Sequence, residues 1–211
     1  MKLARTRFLG IAAILTVASS VVAIASTPAG AQGGLTCNGL VVTSVITPGV
    51  PFEGTPGDDV ILGTNEDDVI LGKAGNDTIC GLDGDDEIEG GNGTDWINGG
   101  GGNDEISAGK GKDIVQGGDG ADRIFGGADG DDLDGGKGND FMRGGKGFDT
   151  VFGNRGNDNL HGNKGTDEVL GGEGNDLLRG GGGTRDTCAD PNPGTVGIAC
   201  EIINDNVIVD E

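Results

Sequence analysis

An aliphatic residue recurs every nine residues along most of this 211-residue chain. From Gly54 to Arg179 the sequence divides into 14 consecutive nine-residue blocks without an insertion, and the eighth position of every block is Ile, Val, Leu or Met. Side chains alternate between the two faces of a strand. Each block is therefore predicted to contain a short strand whose eighth residue points inward and whose seventh and ninth residues point outward.

Glycine and aspartate also occupy fixed places in the blocks. The fourth position is Gly in 12 blocks, with Glu66 and Asp129 as exceptions, and the sixth is Asp in all 14. Glycines permit a sharp turn and let carbonyl oxygens approach one point, and the Asp adds a carboxylate, which together form the ligand set that Ca²⁺ prefers. The predicted ligands are Asp59, Asp68, Asp77, Asp86, Asp95, Asp104, Asp113, Asp122, Asp131, Asp140, Asp149, Asp158, Asp167 and Asp176.

The blocks also predict an architecture. One block supplies a turn and a strand, so two blocks form a coil of 18 residues and the 14 blocks form about seven coils. At a strand spacing of ~4.7 Å the stack is about 33 Å long. Blocks n and n+2 then lie one above the other, and their Asp residues form two columns with 12 intervals in which calcium ions could sit. The predicted fold class is all-β, a parallel β-solenoid with a cap at each end.

Residues 90–98, 99–107 and 135–143 show the repeat most clearly, as GGNGTDWIN, GGGGNDEIS and GGKGNDFMR. This GGxGxDxUx pattern resembles the repeats-in-toxin (hemolysin-type) calcium-binding nonapeptide, over 126 residues. The resemblance implies a parallel β-roll with several Ca²⁺ ions bound in its turns. Toxin and protease heads of that family have no counterpart here, so the resemblance implies calcium binding without lytic or proteolytic activity.

Charge supports the same interpretation. The chain has 35 Asp and Glu against 14 Lys and Arg, a formal net charge of -21, which disfavours nucleic-acid binding.

Turn preference alone would scatter Asp, Asn, Ser and Gly over the sixth position, and a disordered linker would not place an aliphatic residue every ninth position. Empty Asp columns would repel each other, and one aliphatic residue per block makes a thin core. We therefore expect folding to be coupled to calcium binding.

The flanking segments predict export and two caps. Residues 1–31 have a basic start, an apolar stretch and the cleavage site Ala29-Gly30-Ala31, as in a secretory signal peptide. Residues 32–53 are predicted to form an N-terminal cap that covers the outward apolar residues of the first blocks. Residues 180–211 are predicted to form a degenerate repeat and a C-terminal cap, with the register shifted by one so that Asp186 is sixth and Cys188 eighth.

Four cysteines in an exported chain indicate disulfides, and no CxxC spacing supports zinc. Of the three possible pairings we predict Cys37–Cys80 and Cys188–Cys200, each of which would tie a cap to the adjacent end of the roll.

Little in the sequence indicates catalysis. After residue 31 there are two Ser, one His and no Tyr, and both Ser107 and His161 fall at outward ninth positions. Trp96, Phe125, Phe141 and Phe152 are outward as well, and are expected to be scattered surface cover. The predicted function is extracellular, non-catalytic calcium binding. The alternative is a calcium-stiffened adhesin, matrix or cell-envelope module with a cell-surface or polysaccharide partner. No stretch of the mature chain is long and apolar enough to span a membrane.

Overall fold

The computed structural model describes residues 36–183 and 186–190, and in these residues all regular structure is β. The strands are β1 (Thr36–Cys37), β2 (Leu40–Val41), β3 (Ser44–Val45), β4 (Phe52–Glu53), β5 (Val60–Leu62), β6 (Val69–Ala74), β7 (Thr78–Asp83), β8 (Glu87–Asn92), β9 (Trp96–Gly101), β10 (Glu105–Lys110), β11 (Ile114–Asp119), β12 (Arg123–Ala128), β13 (Asp132–Lys137), β14 (Phe141–Gly147), β15 (Thr150–Arg155), β16 (Asn159–Gly165), β17 (Glu168–Glu173), β18 (Leu177–Gly181) and β19 (Thr187–Ala189).

Two parallel sheets form the walls of the roll. The even-numbered strands β4 to β18 make an eight-stranded sheet and the odd-numbered strands β3 to β19 a nine-stranded one, each in sequence order. Residues that pair within the repeats are 18 apart, as Ile106 is with Ile88 and with Ile124. The predicted 18-residue coil and the parallel β-roll are therefore confirmed. Strands outside the repeats extend the stack to about eight turns.

The strands are longer than the sequence analysis predicts. Most contain six residues and run from the seventh position of one block to the third position of the next, so that only positions four to six form the turn. The backbone has φ +120° at Gly118, which is a second position, and φ +144° at Gly120, which is a fourth. A Cβ on Gly118 would collide with the carbonyl oxygen of Gly100. Glycine at the second position thus serves close approach between coils as well as turning.

The core is one row of eighth-position side chains from each sheet, as predicted. All are at most 2 % exposed, and they are Ile61, Ile70, Ile79, Ile88, Ile97, Ile106, Val115, Ile124, Leu133, Met142, Val151, Leu160, Val169 and Leu178. Because each of these side chains stacks on its neighbours 18 residues away, the core is continuous along the roll but only two side chains wide.

The N-terminal end of the roll is held by a disulfide. Cys37 and Cys80 are bonded with an S–S distance of 2.07 Å, which confirms that predicted pair. Cys37 lies in the antiparallel β1–β2 hairpin, whose first strand contacts β5 and β7. The segment does more than cover the first blocks, because β3 pairs with β5 and β4 with β6, adding one strand to each sheet.

At the other end β19 continues the nine-stranded sheet, and Cys188 packs against the core as an eighth-position residue would. The N–H of Asp167 donates to Asp186, 19 residues later instead of 18, with an N···O distance of 3.1 Å. This extra residue is the register shift. The predicted Cys188–Cys200 disulfide involves Cys200, which lies outside the described residues, as does the predicted signal peptide at residues 1–31.

Candidate metal sites in the turns

Two columns of buried Asp carboxylates run along the roll, one at each set of turns. All fourteen sixth-position Asp residues are buried, with exposures of 1 % to 7 %. Asp104 shows how the carboxylates from Asp77 to Asp176 are held. Its Oδ1 accepts the N–H of Asp86 at 2.9 Å, and its own N–H donates to Oδ1 of Asp122 at 2.9 Å. The carboxylates are therefore fixed by backbone hydrogen bonds between successive coils.

The second carboxylate oxygen has no such partner in most blocks. Oδ2 is buried without a hydrogen bond in Asp77, Asp86, Asp95, Asp104, Asp113, Asp122, Asp131, Asp140, Asp149, Asp158, Asp167 and Asp176. Leaving a buried charged oxygen unpaired costs more than a lost neutral hydrogen bond. Twelve such atoms in one ordered array indicate that something outside the polypeptide is meant to contact them.

The first-position glycines leave room beside these oxygens. A Cβ built on Gly90 would lie 2.7 Å from Oδ2 of Asp95 and 2.6 Å from the carbonyl oxygen of Ala108. On Gly72 it would lie 2.6 Å from Oδ2 of Asp77 and 2.5 Å from the carbonyl oxygen of Gly90. A carboxylate oxygen of one coil and a carbonyl oxygen of the next thus converge on space that any larger residue would fill.

These donors fit calcium better than any softer metal, because both are hard oxygens from carboxylate and backbone groups. Within residues 36–183 and 186–190, no three His, Cys, Asp or Glu side chains come together closely enough to hold a metal alone. A cation at these positions would therefore need the glycine carbonyls as well as the Asp oxygens, which is the ligand set that the sequence predicts.

Burial disfavours the charged form of the carboxylates in both columns. Burial raises the pKa of Asp86, Asp131 and Asp140 to about 7, and neighbouring carboxylates add to this rise, while the backbone hydrogen bond opposes it. The pKa is raised to about 6, for the same first cause, in Asp77, Asp95, Asp122, Asp149 and Asp158. Burial also raises the pKa of Asp104, Asp113, Asp167 and Asp176. A cation beside Oδ2 would stabilise the charged form that burial disfavours.

Two predicted ligands differ from the other twelve. Oδ2 of Asp59 accepts the N–H of Thr55 at 2.7 Å and its hydroxyl at 3.0 Å. Asp68 makes the same two bonds with Thr64, also at 2.7 and 3.0 Å. In these first two blocks the polypeptide itself supplies the partners of the oxygen that is left without one elsewhere.

The sequence analysis missed a second ladder on the outside of the turns. The fifth-position Asp and Asn side chains accept the N–H of the fifth-position residue one coil later, as Asp58 does from Asn76 at 2.7 Å and Asn157 from Asn175 at 2.8 Å. The signal was present, because eight of the 14 fifth positions are Asp or Asn. This exposed ladder runs in the direction opposite to the buried one.

Comparison with protein families agrees with this geometry. The model of the RTX calcium-binding nonapeptide repeat matches six overlapping segments, which are residues 53–88, 81–115, 107–142, 116–151, 134–169 and 152–184. The chain belongs to the RTX calcium-binding nonapeptide repeat family. The RTX match covers all 14 repeats and ends at residue 184, within the degenerate block that follows them. A comparison with curated proteins found no match. In the part of this RTX chain that the structure describes, no helix is long and apolar enough to cross a membrane.

Proposed function

We propose that this protein is an extracellular, non-catalytic calcium-binding β-roll that folds as it binds calcium. The observation that carries the proposal is the set of twelve buried Oδ2 atoms without partners. These Asp residues belong to blocks whose first residue is glycine, except for the block that begins with Ala108. In each turn the Asp carboxylate and the carbonyl groups of the glycine-rich segment would hold the ion. The ion would supply positive charge that the roll lacks at these points.

The proposed coupling to folding follows from what the metal-free roll contains. Twelve buried carboxylate oxygens would have to be protonated or left unpaired, while the core provides only one aliphatic side chain per nine residues. The 47 glycines increase the conformational entropy that folding must overcome. A ligand that binds only the ordered turns shifts the equilibrium towards the folded state by mass action, and adjacent sites that share coils make the response steep.

An extracellular location is consistent with two features. The predicted signal peptide at residues 1–31 would direct export, and the Cys37–Cys80 disulfide would persist in an oxidising compartment. Extracellular calcium modules bind in the range of about 0.1–1 mM. At such affinities the exported chain would fold outside the cell, whereas the chain before export would remain unfolded at cytoplasmic calcium concentrations.

The absence of catalysis is part of the proposal. Nε2 of His161 lies 2.9 Å from Oδ1 of Asn159, its neighbour two residues away. Ser107 is on β10, three strands away from β16 in the same sheet. A catalytic triad requires a nucleophile, a base and an orienting acid within hydrogen-bond reach of one another. Ser107 and His161 do not meet this requirement.

A calcium titration followed by circular dichroism tests the proposal, with the bound calcium counted by atomic emission on the dialysed protein. We expect an unfolded spectrum in excess chelator, a cooperative transition to β structure with calcium, and little response to magnesium, which demands a tighter octahedron. A complete β spectrum in chelator that calcium leaves unchanged would refute folding on calcium binding. Folded protein without bound calcium would refute the calcium sites themselves.

A further inference from the structure

The outer surface of the eight-stranded sheet carries an unusual concentration of positive charge. Its last three strands, β14, β16 and β18, contain no Asp or Glu, although the chain has 35 acids and 14 Lys and Arg. They present four exposed cations, which are Arg143, Lys146, Lys164 and Arg179. These four residues, together with Phe141 and His161, are here called the basic face.

Strand register aligns these cations in two rows. Arg143 pairs directly with His161, and His161 with Arg179. Lys146 pairs directly with Lys164. Like charges directly opposite each other destabilise a sheet, and within the described residues no carboxylate lies within 4.0 Å of any of these four cations. The four ion pairs among the described residues are formed by other cations, namely Lys73, Arg123, Lys137 and Arg155.

An aromatic cluster orders one row. The guanidinium of Arg143 lies 4.9 Å from the ring centroid of Phe141, and that of Arg123 lies 5.3 Å from it. Phe125 and His161 flank the same ring, with centroids at 6.1 and 5.9 Å. The expectation that Phe125 and Phe141 are scattered is therefore wrong, because 18-residue stacking brings them together. Cation–π contacts hold the arginines in place over an open surface, so less entropy is lost when a ligand binds.

We propose that the basic face binds an extended polysaccharide that bears carboxylates. Neighbouring strands are ~4.8 Å apart, so the two rows offer regularly spaced donors along the axis of the roll, and arginine matches a carboxylate with two parallel hydrogen bonds. The ring of Phe141 offers an apolar contact for the C–H groups of a sugar. The face needs the folded roll, so this inference rests on the proposed function, and bound calcium would also reduce the negative field of the turns.

Other polyanions fit the face less well. Single-stranded nucleic acid is bound through several aromatic platforms and a positive groove, whereas the rings of Phe125, Phe141 and His161 pack against one another here. The chain also has a net charge of -21. A membrane surface would require apolar side chains that insert beside the cations, and the exposed side chains on these three strands are the four cations. Both become outcomes of the test.

Binding to immobilised carboxymethyl dextran in saturating calcium, with uncharged dextran as reference, tests the proposal. We expect the wild-type protein to bind only the carboxylated polymer, and the Arg143→Ser/Arg179→Ser variant to bind it at least about tenfold more weakly. The matched control is Lys137→Ser/Arg155→Ser, which removes the same charge from the other sheet and should change affinity less than about twofold. Equal losses in both variants, or equal binding to both polymers, would overturn the proposal.

A second pair and two competitors complete the design. Lys146→Ser/Lys164→Ser changes the other row and should weaken binding as well, so that the result does not depend on one variant. Tighter binding to a single-stranded oligonucleotide or to anionic vesicles at the same salt concentration would overturn the choice of polysaccharide. The calcium titration of each variant by circular dichroism separates the two hypotheses. If calcium changes nothing in the fold but the carboxylated polymer still binds, the proposed folding fails while the basic face stands.

Discussion

The first two blocks differ from the twelve that follow in whether Oδ2 of the sixth-position Asp has a hydrogen-bond partner. In the first two, Thr55 and Thr64 at the second position donate both N–H and hydroxyl to Oδ2 of the Asp four residues later. In the following twelve, the second position has positive φ throughout, and Oδ2 is left without a partner. The second position, and not the Asp, therefore determines whether Oδ2 has a hydrogen-bond partner within the polypeptide.

The positive φ is a property of these turns and not only of glycine. Lys73, Leu82, Asn154 and Asn163 occupy the second position of four blocks and adopt φ of 84°, 90°, 71° and 76°. This conformation costs non-glycine residues about 1–2 kcal/mol each. The stacked coils impose it, and a cation that completes the turn would offset the cost.

The largest expected effect is that of pH on the stability of the metal-free roll, because it acts on many of the twelve later blocks at once. The pKa of eight Asp residues is raised from 3.8 to about 6 or 7 in the folded, metal-free chain. The folded state then binds more protons than the unfolded state between pH 4 and 7, so the metal-free roll should gain stability as pH falls through that range and lose it as pH rises. The folded fraction of the calcium-free chain, followed by circular dichroism in increasing concentrations of a stabilising osmolyte at pH 8 and pH 5, measures this.

With calcium the sign reverses. Protons compete with the metal for the same carboxylates, so the calcium concentration at the folding midpoint should rise as pH falls below about 7, and binding at pH 6 should release protons. A metal-free roll that is less stable at pH 5 than at pH 8, or a calcium midpoint that does not change with pH, would contradict the account of the columns.

The next largest effect compares one carboxylate from each region. Asp104→Asn keeps an acceptor for the N–H of Asp86 but replaces Oδ2 by an NH₂ group. We expect it to destabilise the calcium-loaded protein by about 3 kcal/mol, since a buried charge loses its partner. In calcium-free buffer at pH 8 it should stabilise the chain, because a buried unpaired charge is gone.

Asp68→Asn is the matched control, because an amide oxygen can still accept from Thr64. Its calcium midpoint should change little. Urea unfolding in calcium and osmolyte-induced folding without calcium measure both variants, and equal behaviour of the two would remove the distinction between the regions.

A smaller effect is expected when the second-position threonine of an early block is replaced by the glycine that is common in the later blocks. Thr64→Gly removes the hydroxyl that donates to Oδ2 of Asp68 and releases the backbone from its present φ. We expect a loss of about 2 kcal/mol without calcium, partly recovered in calcium, together with a steeper dependence of stability on calcium. Thr64→Ser retains the hydroxyl and should resemble the wild-type protein in urea unfolding with calcium and in osmolyte-induced folding without it. If Thr64→Gly loses as much in calcium as without it, the freed carboxylate does not gain a ligand.

The smallest effect concerns the one first position in the repeats that is not glycine. Ala108 is buried, and in its own block its methyl group takes the position that corresponds to the missing Cβ of Gly90, which would meet Oδ2 of Asp95. Ala108→Gly should therefore ease access to Asp113 and lower the calcium midpoint slightly, by an effect of about 1 kcal/mol or less after the entropic cost of glycine. The converse change, Gly90→Ala, should raise the midpoint. A raised midpoint in Ala108→Gly, or a lowered midpoint in Gly90→Ala, would show that the space beside Oδ2 is not used by the ion.

The regular part of this molecule could be predicted because one spacing determines it. The eighth-position aliphatic residues gave the core, the 18-residue coil gave the pairing of Ile88 with Ile106, and the placement of Cys80 at an outward ninth position gave its bond to Cys37. Each follows from a period that can be counted in the sequence.

The remainder depended on dihedral angles and on neighbours that the period does not specify. Thr55 and Thr64 were visible at the second position, but whether a side chain there reaches Oδ2 depends on φ. Phe125 and Phe141 are a ninth and a seventh position of stacked blocks, and their contact follows from side-chain direction across β12 and β14. The exposed fifth-position ladder was overlooked because that position varies in type, although Asp and Asn act there in the same way.

A crystal structure of the calcium-loaded protein, with anomalous data that locate calcium, tests the central claim most directly. The account predicts anomalous peaks in contact with Oδ2 of the Asp residues from Asp77 to Asp176 and with glycine carbonyl oxygens of the adjoining coils. It predicts no ion on Oδ2 of Asp59 or Asp68, whose threonine bonds should persist. Peaks equally distributed over all fourteen carboxylates, or calcium bound elsewhere with the twelve Oδ2 atoms still unpaired, would contradict it.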